Sequence, residues 1–179
     1  MFTLTDAIII AAEAHRGVKD EGGVDYILHP LYIMHKLKMK GYGLDALIAA
    51  VLHDVIEDTD WTLKKLKEKG CPESSLIALD LLTHVRNQDR VNLSKQYYIE
   101  KGLIPSIANS NAKDDEYFTY IAKLSKNDIA RVIKIEDLRH NGDIRRAPDD
   151  AYENKYTRNR WAKYAKALTI LTGGKVGYV

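Results

Sequence analysis

The stretch LIAAVL at 47–52, followed by HDVIEDT at 53–59, decides the fold of this chain. The unbroken apolar run predicts a buried helix, which we expect to extend continuously over residues 44–58. In such a helix His53 and Glu57 project from one face, and so do Asp54 and Asp58. An imidazole beside a carboxylate suits a divalent transition metal, and a second pair of carboxylates could hold or deprotonate a water on that metal. The alternative is a partly buried core histidine followed by a solvated helix end.

Length and charge restrict the class of protein. At 179 residues the chain is long enough for one domain with a sizeable core, so we expect a single domain over 1–179. The 27 Lys/Arg and 25 Asp/Glu residues give a net charge of +2, which predicts neither a nucleic-acid binder nor an anionic-membrane binder. From Arg131 onward 11 Lys/Arg face 6 Asp/Glu. This basic end could serve an anionic ligand or belong to a solvated helix.

Cysteine and hydropathy give two further limits. Cys71 is the single cysteine, so any metal must be held by His and carboxylate groups. The N-terminus lacks the basic region of a signal peptide, and no apolar run approaches membrane-spanning length. We therefore expect a soluble, cytoplasmic protein.

Apolar residues recur at helical spacing along most of the chain, and no segment alternates with the period of a strand. Thr5 or Asp6 could cap a first helix, Pro30 lies at the first turn of a second, and Asn127 or Asp128 could begin a later one. We therefore predict an all-α fold, a helical bundle. The 44–58 helix should be central because its small alanine residues permit close packing.

Two later segments carry weaker signals. The polar composition of residues 86–115 predicts a helical fragment followed by a mobile loop at 103–114. Asp149 or Asp150 could open a long terminal helix. The inward face of that helix is predicted to hold Trp161, Tyr164, Ala165, Leu168 and Leu171.

Three separated places offer metal ligands without any thiol: His29, His53 with Asp54, and Asp137. Two imidazoles and two carboxylates suit manganese, iron, zinc or cobalt, and the hard carboxylate oxygens favour manganese. Open coordination positions would remain for water and a phosphate oxygen. Each residue also has a plainer role open to it: His29 could cap its helix, and Asp137 could pair with an arginine, Arg139 or Arg16. Asn141 could be a helix C-cap, and no partner is identified for His15, His35, His84 and His140.

Three blocks of sequence carry a family resemblance. The blocks are YILHP at 26–30, AAVLHDVIEDT at 49–59 and KIEDLRHN at 134–141. They resemble the signature blocks of the HD-superfamily hydrolase domain of RelA/SpoT-type proteins, in the same order and with matching spacing. The resemblance spans roughly residues 5–170, and the chain has the length of the free-standing small alarmone hydrolases.

The resemblance implies a helical HD-type domain with one Mn²⁺ at its centre. The implied metal ligands are His29, His53, Asp54 and Asp137, with other first-row divalent metals as possible substitutes. Glu57 and Asp58 match the acidic pair that positions and activates the hydrolytic water in this family. The family reaction removes pyrophosphate from the 3′ position of (p)ppGpp and leaves GDP or GTP.

The same resemblance indicates the substrate site. Asn141 matches a residue near the nucleoside sugar and phosphate, and we also assign Arg16, Lys19 and Lys134 to substrate binding. The expected partner is a small phosphorylated nucleotide, with neither nucleic acid nor membrane involved. The oligomeric state is not indicated by the sequence.

Two positions depart from the family pattern. Asp20-Glu21 stands where the family commonly has an Arg-Lys pair that packs on and orients guanine, and Ile144 stands where the hydrolases often carry threonine. Two alternative functions therefore stay open. One is hydrolysis of another phosphorylated nucleotide, such as a nucleoside phosphate or a phosphorylated nicotinamide dinucleotide. The other is a non-catalytic nucleotide sensor.

Overall fold

The structure is a computed structural model that describes residues 1–146 and 154–174. Within these ranges the chain forms α-helices and one 3-10 turn but no β-strand, so the predicted all-α fold is confirmed. The helices are α1 (Leu4–Ala14), α2 (Leu28–Met39), α3 (Leu44–Leu52), α4 (Val55–Asp58), α5 (Leu63–Glu68), α6 (Glu73–Leu82), α7 (Gln88–Glu100), α8 (Pro105–Leu124), α9 (Asp128–Asn141) and α10 (Lys155–Thr172), with the 3-10 turn at Ile144–Arg146. None of these described helices is long and apolar enough to cross a bilayer.

Helix α3 lies at the centre of the bundle. Every residue from Ala46 to Leu52 is buried, and the helix packs against α1, α2, α6 and α9. The small alanine side chains let these neighbours approach closely, and larger side chains fill the remaining space. The neighbouring helices contribute fully buried residues, among them Ile33, Leu37, Leu79 and Ile133. The core therefore fixes both ends of α3, including the end that carries His53.

The continuous helix predicted over residues 44–58 is wrong, because the chain turns at His53 and Asp54 between α3 and α4. Nδ1 of His53 lies 2.9 Å from the carbonyl oxygen of Ala50. That carbonyl would accept the backbone N–H of Asp54 in an uninterrupted helix, so the imidazole takes the place of the main-chain donor. The turn places two consecutive polar side chains at the end of α3.

The loop predicted at 103–114 is also wrong, since α8 begins at Pro105 and runs for 20 residues. Proline is well placed in the first turn, where its missing N–H costs nothing. Ala108 and Ala112 are fully buried and Glu116 is buried, which gives α8 an inward seam at a spacing of four residues. This seam packs mainly against α7. Its small and polar side chains gave no apolar signal in the sequence.

Two predicted helix details need correction, and a third lies outside the described residues. Thr3, rather than Thr5 or Asp6, caps α1: its hydroxyl accepts the Asp6 N–H, and the Asp6 carboxylate accepts the Thr3 N–H in return. On α10 Ala165 is exposed and Ala167 is buried. A single alanine carries too little apolar surface to show which face packs. The predicted caps of this helix, at 149–150, are outside the described residues.

Candidate metal centre

Three buried side chains from different parts of the chain meet beside the end of α3. His29 lies in the first turn of α2, His53 directly follows α3, and Asp137 lies in α9. One ligand atom from each lies within 4.8 Å of the others, and His29 Nε2 is 3.3 Å from Asp137 Oδ1. Ligands held about 2.0–2.2 Å from one ion lie about 3–4.4 Å apart, and the His29–Asp137 pair already has such a separation. The N-cap of α2 is Ile27, so His29 does not cap that helix.

Asp54 joins this group through both imidazoles. Its Oδ2 atom is 3.0 Å from Nε2 of His53 and 3.6 Å from Nε2 of His29. Burial would raise the pKa of Asp54, but the neighbouring imidazoles outweigh burial and hold the pKa well below its usual range. The four predicted ligands therefore lie together, although they come from three separated places in the sequence.

Tyr26 is a residue of the site to which sequence reasoning gave no role. Its hydroxyl donates a hydrogen bond of 2.5 Å to Asp54 Oδ2. Burial and the charge of Asp54 both raise the pKa of this tyrosine, so the hydroxyl keeps its proton and acts as a donor. Its position in the YILHP block, three residues before His29, was the available signal.

The protonation of His53 explains why a metal fits this cluster. Nδ1 faces the Ala50 carbonyl and must carry a proton, whereas Nε2 is buried and lies 3.0 Å from Asp54 Oδ2 without the geometry of a hydrogen bond. Burial would lower the pKa of His53, but the carboxylates of Asp54 and Asp137 outweigh it and raise the pKa to about 9. A divalent cation would use the Nε2 lone pair and balance the two acids. The donor set of two imidazoles and two carboxylates therefore fits a divalent metal.

Each carboxylate oxygen of Asp137 accepts a hydrogen bond from a side chain of α9. Lys134 Nζ lies 2.7 Å from Oδ2, and Asn141 Nδ2 donates to Oδ1 at 2.6 Å. Burial would raise the pKa of this carboxyl, but Lys134 and His29 keep it well below its usual range. Asp137 therefore stays ionised at neutral pH and faces the cluster in a fixed orientation.

The alternative roles of Asp137 as the partner of an arginine and of Asn141 as a helix C-cap are wrong. Arg139 pairs with Glu136 at 2.8 Å rather than with Asp137, and Arg16 is exposed. Asn141 belongs to the last turn of α9, and the glycine after it is the C-cap. The side chain of Asn141 is therefore free from capping and bonds to Asp137.

Glu57 and Asp58 lie at the end of α4, one turn beyond Asp54. Partial desolvation raises the pKa of Asp58, and the negative charges of Asp54 and Glu57 raise it further. A raised pKa makes this carboxylate a better proton acceptor near neutral pH. Glu57 Oε2 accepts a hydrogen bond of 3.2 Å from the backbone N–H of His84.

His84, which the sequence left without a partner, supports Glu57 from the turn after α6. Its Nε2 lies 3.1 Å from Glu116 Oε2, and its ring stacks on Tyr120 with 4.3 Å between centroids. Glu116 is buried and also accepts the N–H of Asn87. No sequence signal could pair His84 with Glu116, because the two residues are 32 positions apart, one in the turn between α6 and α7 and the other in α8.

Two cavities, of about 380 and 370 Å³, adjoin the ligand cluster. Asp137 lines the first and His29 lines the second. The residues that line both cavities are Asn141, Arg160 and Tyr164. An extended ligand could therefore reach the cluster from two sides.

The acidic pair of the 16–25 loop is neutralised by arginines from the C-terminal part of the chain. Asp20 Oδ2 is 2.8 Å from Arg146, and Glu21 makes a bidentate pair with Arg160 at 2.7 and 2.8 Å. The other Asp20 oxygen accepts two loop N–H groups, so this residue also shapes the loop. The departure from the family's basic pair is therefore accompanied by two arginines at the same cavity wall.

The residues assigned to substrate binding differ in their positions. Asn141 and Lys134 lie at the cluster, and Lys134 lines the first cavity. Lys19 lines the second cavity and pairs with Asp25 at 2.5 Å. Arg16 is exposed and lines neither cavity, so the structure does not bring it to the cluster.

Comparison with known proteins gives relatives in sequence and in structure, while no family model matches the chain. A guanosine-3′,5′-bis(diphosphate) 3′-pyrophosphohydrolase of Aquifex aeolicus is 44% identical over 59 residues, which are 33% of this chain and 8% of that protein. A probable GTP pyrophosphokinase of Mycobacterium leprae is 29% identical over 135 residues, which are 75% of this chain and 15% of that protein. The chain therefore spans only a small fraction of the length of these curated relatives.

A solved structure resembles the chain over nearly its whole length. It belongs to a metazoan ortholog of SpoT described as hydrolysing ppGpp, and the TM-score is 0.63 at 20% sequence identity. The similarity covers 97% of this chain and 87% of that one, and it shows that the two share a fold. The resemblance drawn from the three sequence blocks is confirmed by these comparisons.

Proposed function

We propose that this chain, with its RelA/SpoT-type hydrolase resemblance, is a metal-dependent phosphohydrolase that removes pyrophosphate from the 3′ position of (p)ppGpp. The products would be pyrophosphate and GDP or GTP. The proposal is consistent with the name of the Aquifex aeolicus relative and with the description of the metazoan structure.

The observation that carries the proposal is the convergence of His29, His53 and Asp137 within 4.8 Å, with Asp54 against both imidazoles. One buried acid and one half-buried acid beside two buried imidazoles are costly to fold unless positive charge balances them. A divalent metal bound there would polarise a phosphoryl oxygen and lower the pKa of a bound water. The cavities on either side of the cluster give a nucleotide room to reach this centre.

The remaining residues supply positioning and proton transfer. Asp58, with its raised pKa, takes one proton from the attacking water, and Glu57 holds that water from its anchored position. The water oxygen bonds to phosphorus as the bond between phosphorus and the 3′ oxygen breaks. The 3′ oxygen takes a proton from solvent and pyrophosphate leaves. Asn141 orients the nucleotide, and Lys134 balances the charge of Asp137.

We propose manganese as the native metal. Two carboxylates contribute hard oxygen ligands, which favour Mn²⁺ over softer ions, while the imidazoles keep iron, cobalt and zinc as possible substitutes. The metal found in a purified sample would depend on supply as well as on affinity.

A second candidate function, hydrolysis of another phosphorylated nucleotide, is favoured by one observation. The loop expected to orient guanine carries Asp20 and Glu21, whose carboxylates are occupied by Arg146 and Arg160. The base-binding wall therefore differs from the family pattern while the ligand cluster does not. This candidate keeps the metal and the water chemistry and changes only the nucleotide.

Pyrophosphate release from guanosine tetraphosphate by the Mn²⁺-loaded chain tests the proposed function. Asp58→Asn should lower kcat by about 100-fold or more, in the range expected for loss of a general base. Asp60→Asn is a matched control, because Asp60 is a nearby exposed acid outside the cluster. Bound metal should be measured for both variants, and both should retain it.

The outcomes separate the candidates. Orthophosphate or pyrophosphate release from a different phosphorylated nucleotide, with none from the tetraphosphate, would favour the second function. If a metal-loaded chain hydrolysed no phosphorylated nucleotide yet bound one, the proposal would be wrong and the chain would be a nucleotide sensor.

A further inference from the structure

His140 contacts a predicted metal ligand on the side away from the cluster. The Nδ1 atoms of His140 and His29 are 2.7 Å apart, and the two rings are inclined by only 23°. The opposite nitrogen of His29, Nε2, lies 3.3 Å from Asp137 Oδ1, within the group of ligand atoms. His29 therefore reaches the cluster through one nitrogen and His140 through the other.

A hydrogen bond between two Nδ1 atoms requires one donor and one acceptor. If His29 uses the Nε2 lone pair to bind a metal as a neutral imidazole, its Nδ1 must carry the proton and donate. His140 must then accept that proton's hydrogen bond through its own Nδ1 lone pair. His53 has the same arrangement, since its Nδ1 faces the Ala50 carbonyl and its Nε2 faces the cluster.

The ring of His140 is itself held in place. It stacks on Tyr32 with 4.2 Å between centroids. Arg146 Nη1 donates to the carbonyl oxygen of His140 at 3.0 Å and lies equally close to its Nδ1. Because Nδ1 has a single lone pair and the 2.7 Å contact with His29 is shorter, Arg146 is better satisfied by the carbonyl. Arg146 is fixed in turn by Asp20 at 2.8 Å.

We propose that His140 is a positioning residue for the metal centre, accepting a hydrogen bond from His29 Nδ1 and so presenting His29 Nε2 to the metal. The inference rests on the proposed metal centre. It gives a role to a histidine that is not itself among the ligands, and it connects the metal site to the loop acid Asp20 through Arg146.

Metal affinity of the full chain tests this inference without reference to turnover. Mn²⁺ binding by calorimetry, and Co²⁺ binding by visible absorbance, would be compared for wild type, His140→Phe and His140→Asn. The Phe variant keeps an aromatic ring on Tyr32 but has no acceptor, so its dissociation constant should rise about 10- to 100-fold. The Asn variant offers an amide oxygen to His29 and should bind metal close to the wild-type level. His35→Phe, which changes an exposed histidine elsewhere on α2, should have no effect.

Wild-type affinity in the Phe variant would overturn the inference, and so would equal weakening in the Phe and Asn variants. Failure of wild type to bind any divalent metal would instead overturn the proposed function. A second measurement requires no variant. Imidazole ¹⁵N spectra of the Zn²⁺-loaded chain should show a proton on His29 Nδ1 and none on Nε2, and the reverse tautomer would contradict the proposed role of His140.

Discussion

Metal affinity should depend steeply on pH because the His53 imidazole of the metal-free protein is charged, with a second proton on Nε2. The nearby carboxylates raise the pKa of His53 to about 9, against about 6.5 for an ordinary imidazole. A metal that binds Nε2 must displace this proton. Binding at neutral pH should therefore release about one proton from this residue, and affinity should increase as pH rises.

The size of the effect follows from the pKa of His53. Displacement of one proton changes the binding free energy by about 1.4 kcal/mol per pH unit below the pKa. With a pKa of about 9, affinity should rise about 90-fold between pH 6 and pH 8, whereas a pKa of about 6.5 gives only about fourfold. This range avoids the alkaline conditions in which Mn²⁺ precipitates.

The assay is calorimetric titration of the metal-free chain with Mn²⁺ at pH 6, 7 and 8. Repeating the titration at pH 7 in buffers with different ionisation enthalpies counts the protons released. A fourfold change in affinity together with no proton release would refute the charge state assigned to His53. It would also indicate that the carboxylates do not act on this imidazole as the geometry requires.

Three further predictions concern the metal, the fold and the loop. At 100 times its dissociation constant Mn²⁺ should stabilise the chain by about 2.7 kcal/mol, which raises Tm by about 5–10 °C, and Asp137→Asn should remove this rise in a thermal melt. Ala112→Leu should lower the free energy of unfolding in urea by about 1–3 kcal/mol, because the larger side chain overpacks the seam of α8. The control Ser106→Leu, at an exposed position of the same helix, should change stability little. Equal effects of the two variants would contradict the buried seam. Glu21→Gln should free Arg160 from its ion pair and so lower KM for a polyanionic nucleotide by up to about fivefold, the size expected for one exposed ion pair. An unchanged or higher KM would argue against a role of Arg160 in binding.

Most of the fold can be predicted from apolar periodicity. The helix boundaries that were predicted wrongly have identifiable structural causes. Helices with strong apolar faces were located well, and α3 is central as its alanines indicated. The break after Leu52 depends on a side-chain bond from His53 to a carbonyl, which no periodicity reveals. The start of α8 was missed because Ala108 and Ala112 bury a narrow seam against α7 within an otherwise polar sequence.

The ligand cluster was accessible from the sequence because its residues lie in compact blocks. The residues that surround the cluster could not be predicted from the sequence. His84 depends on Glu116, and His140 depends on contacts with α2 and with Arg146, all of which form only when distant segments pack. The partners of the acidic loop come from the basic end of the chain, where charge counting indicated an excess but could not show which arginine meets which acid.

Crystallography of the Mn²⁺-soaked chain, with anomalous data collected at the manganese edge, would show whether the four side chains share one ion. We expect one strong anomalous peak about 2.0–2.3 Å from Nε2 of His29, Nε2 of His53 and carboxylate oxygens of Asp54 and Asp137. A fully soaked crystal with no peak there, or with its strongest peak on other residues, would contradict the claim that these four side chains hold one metal.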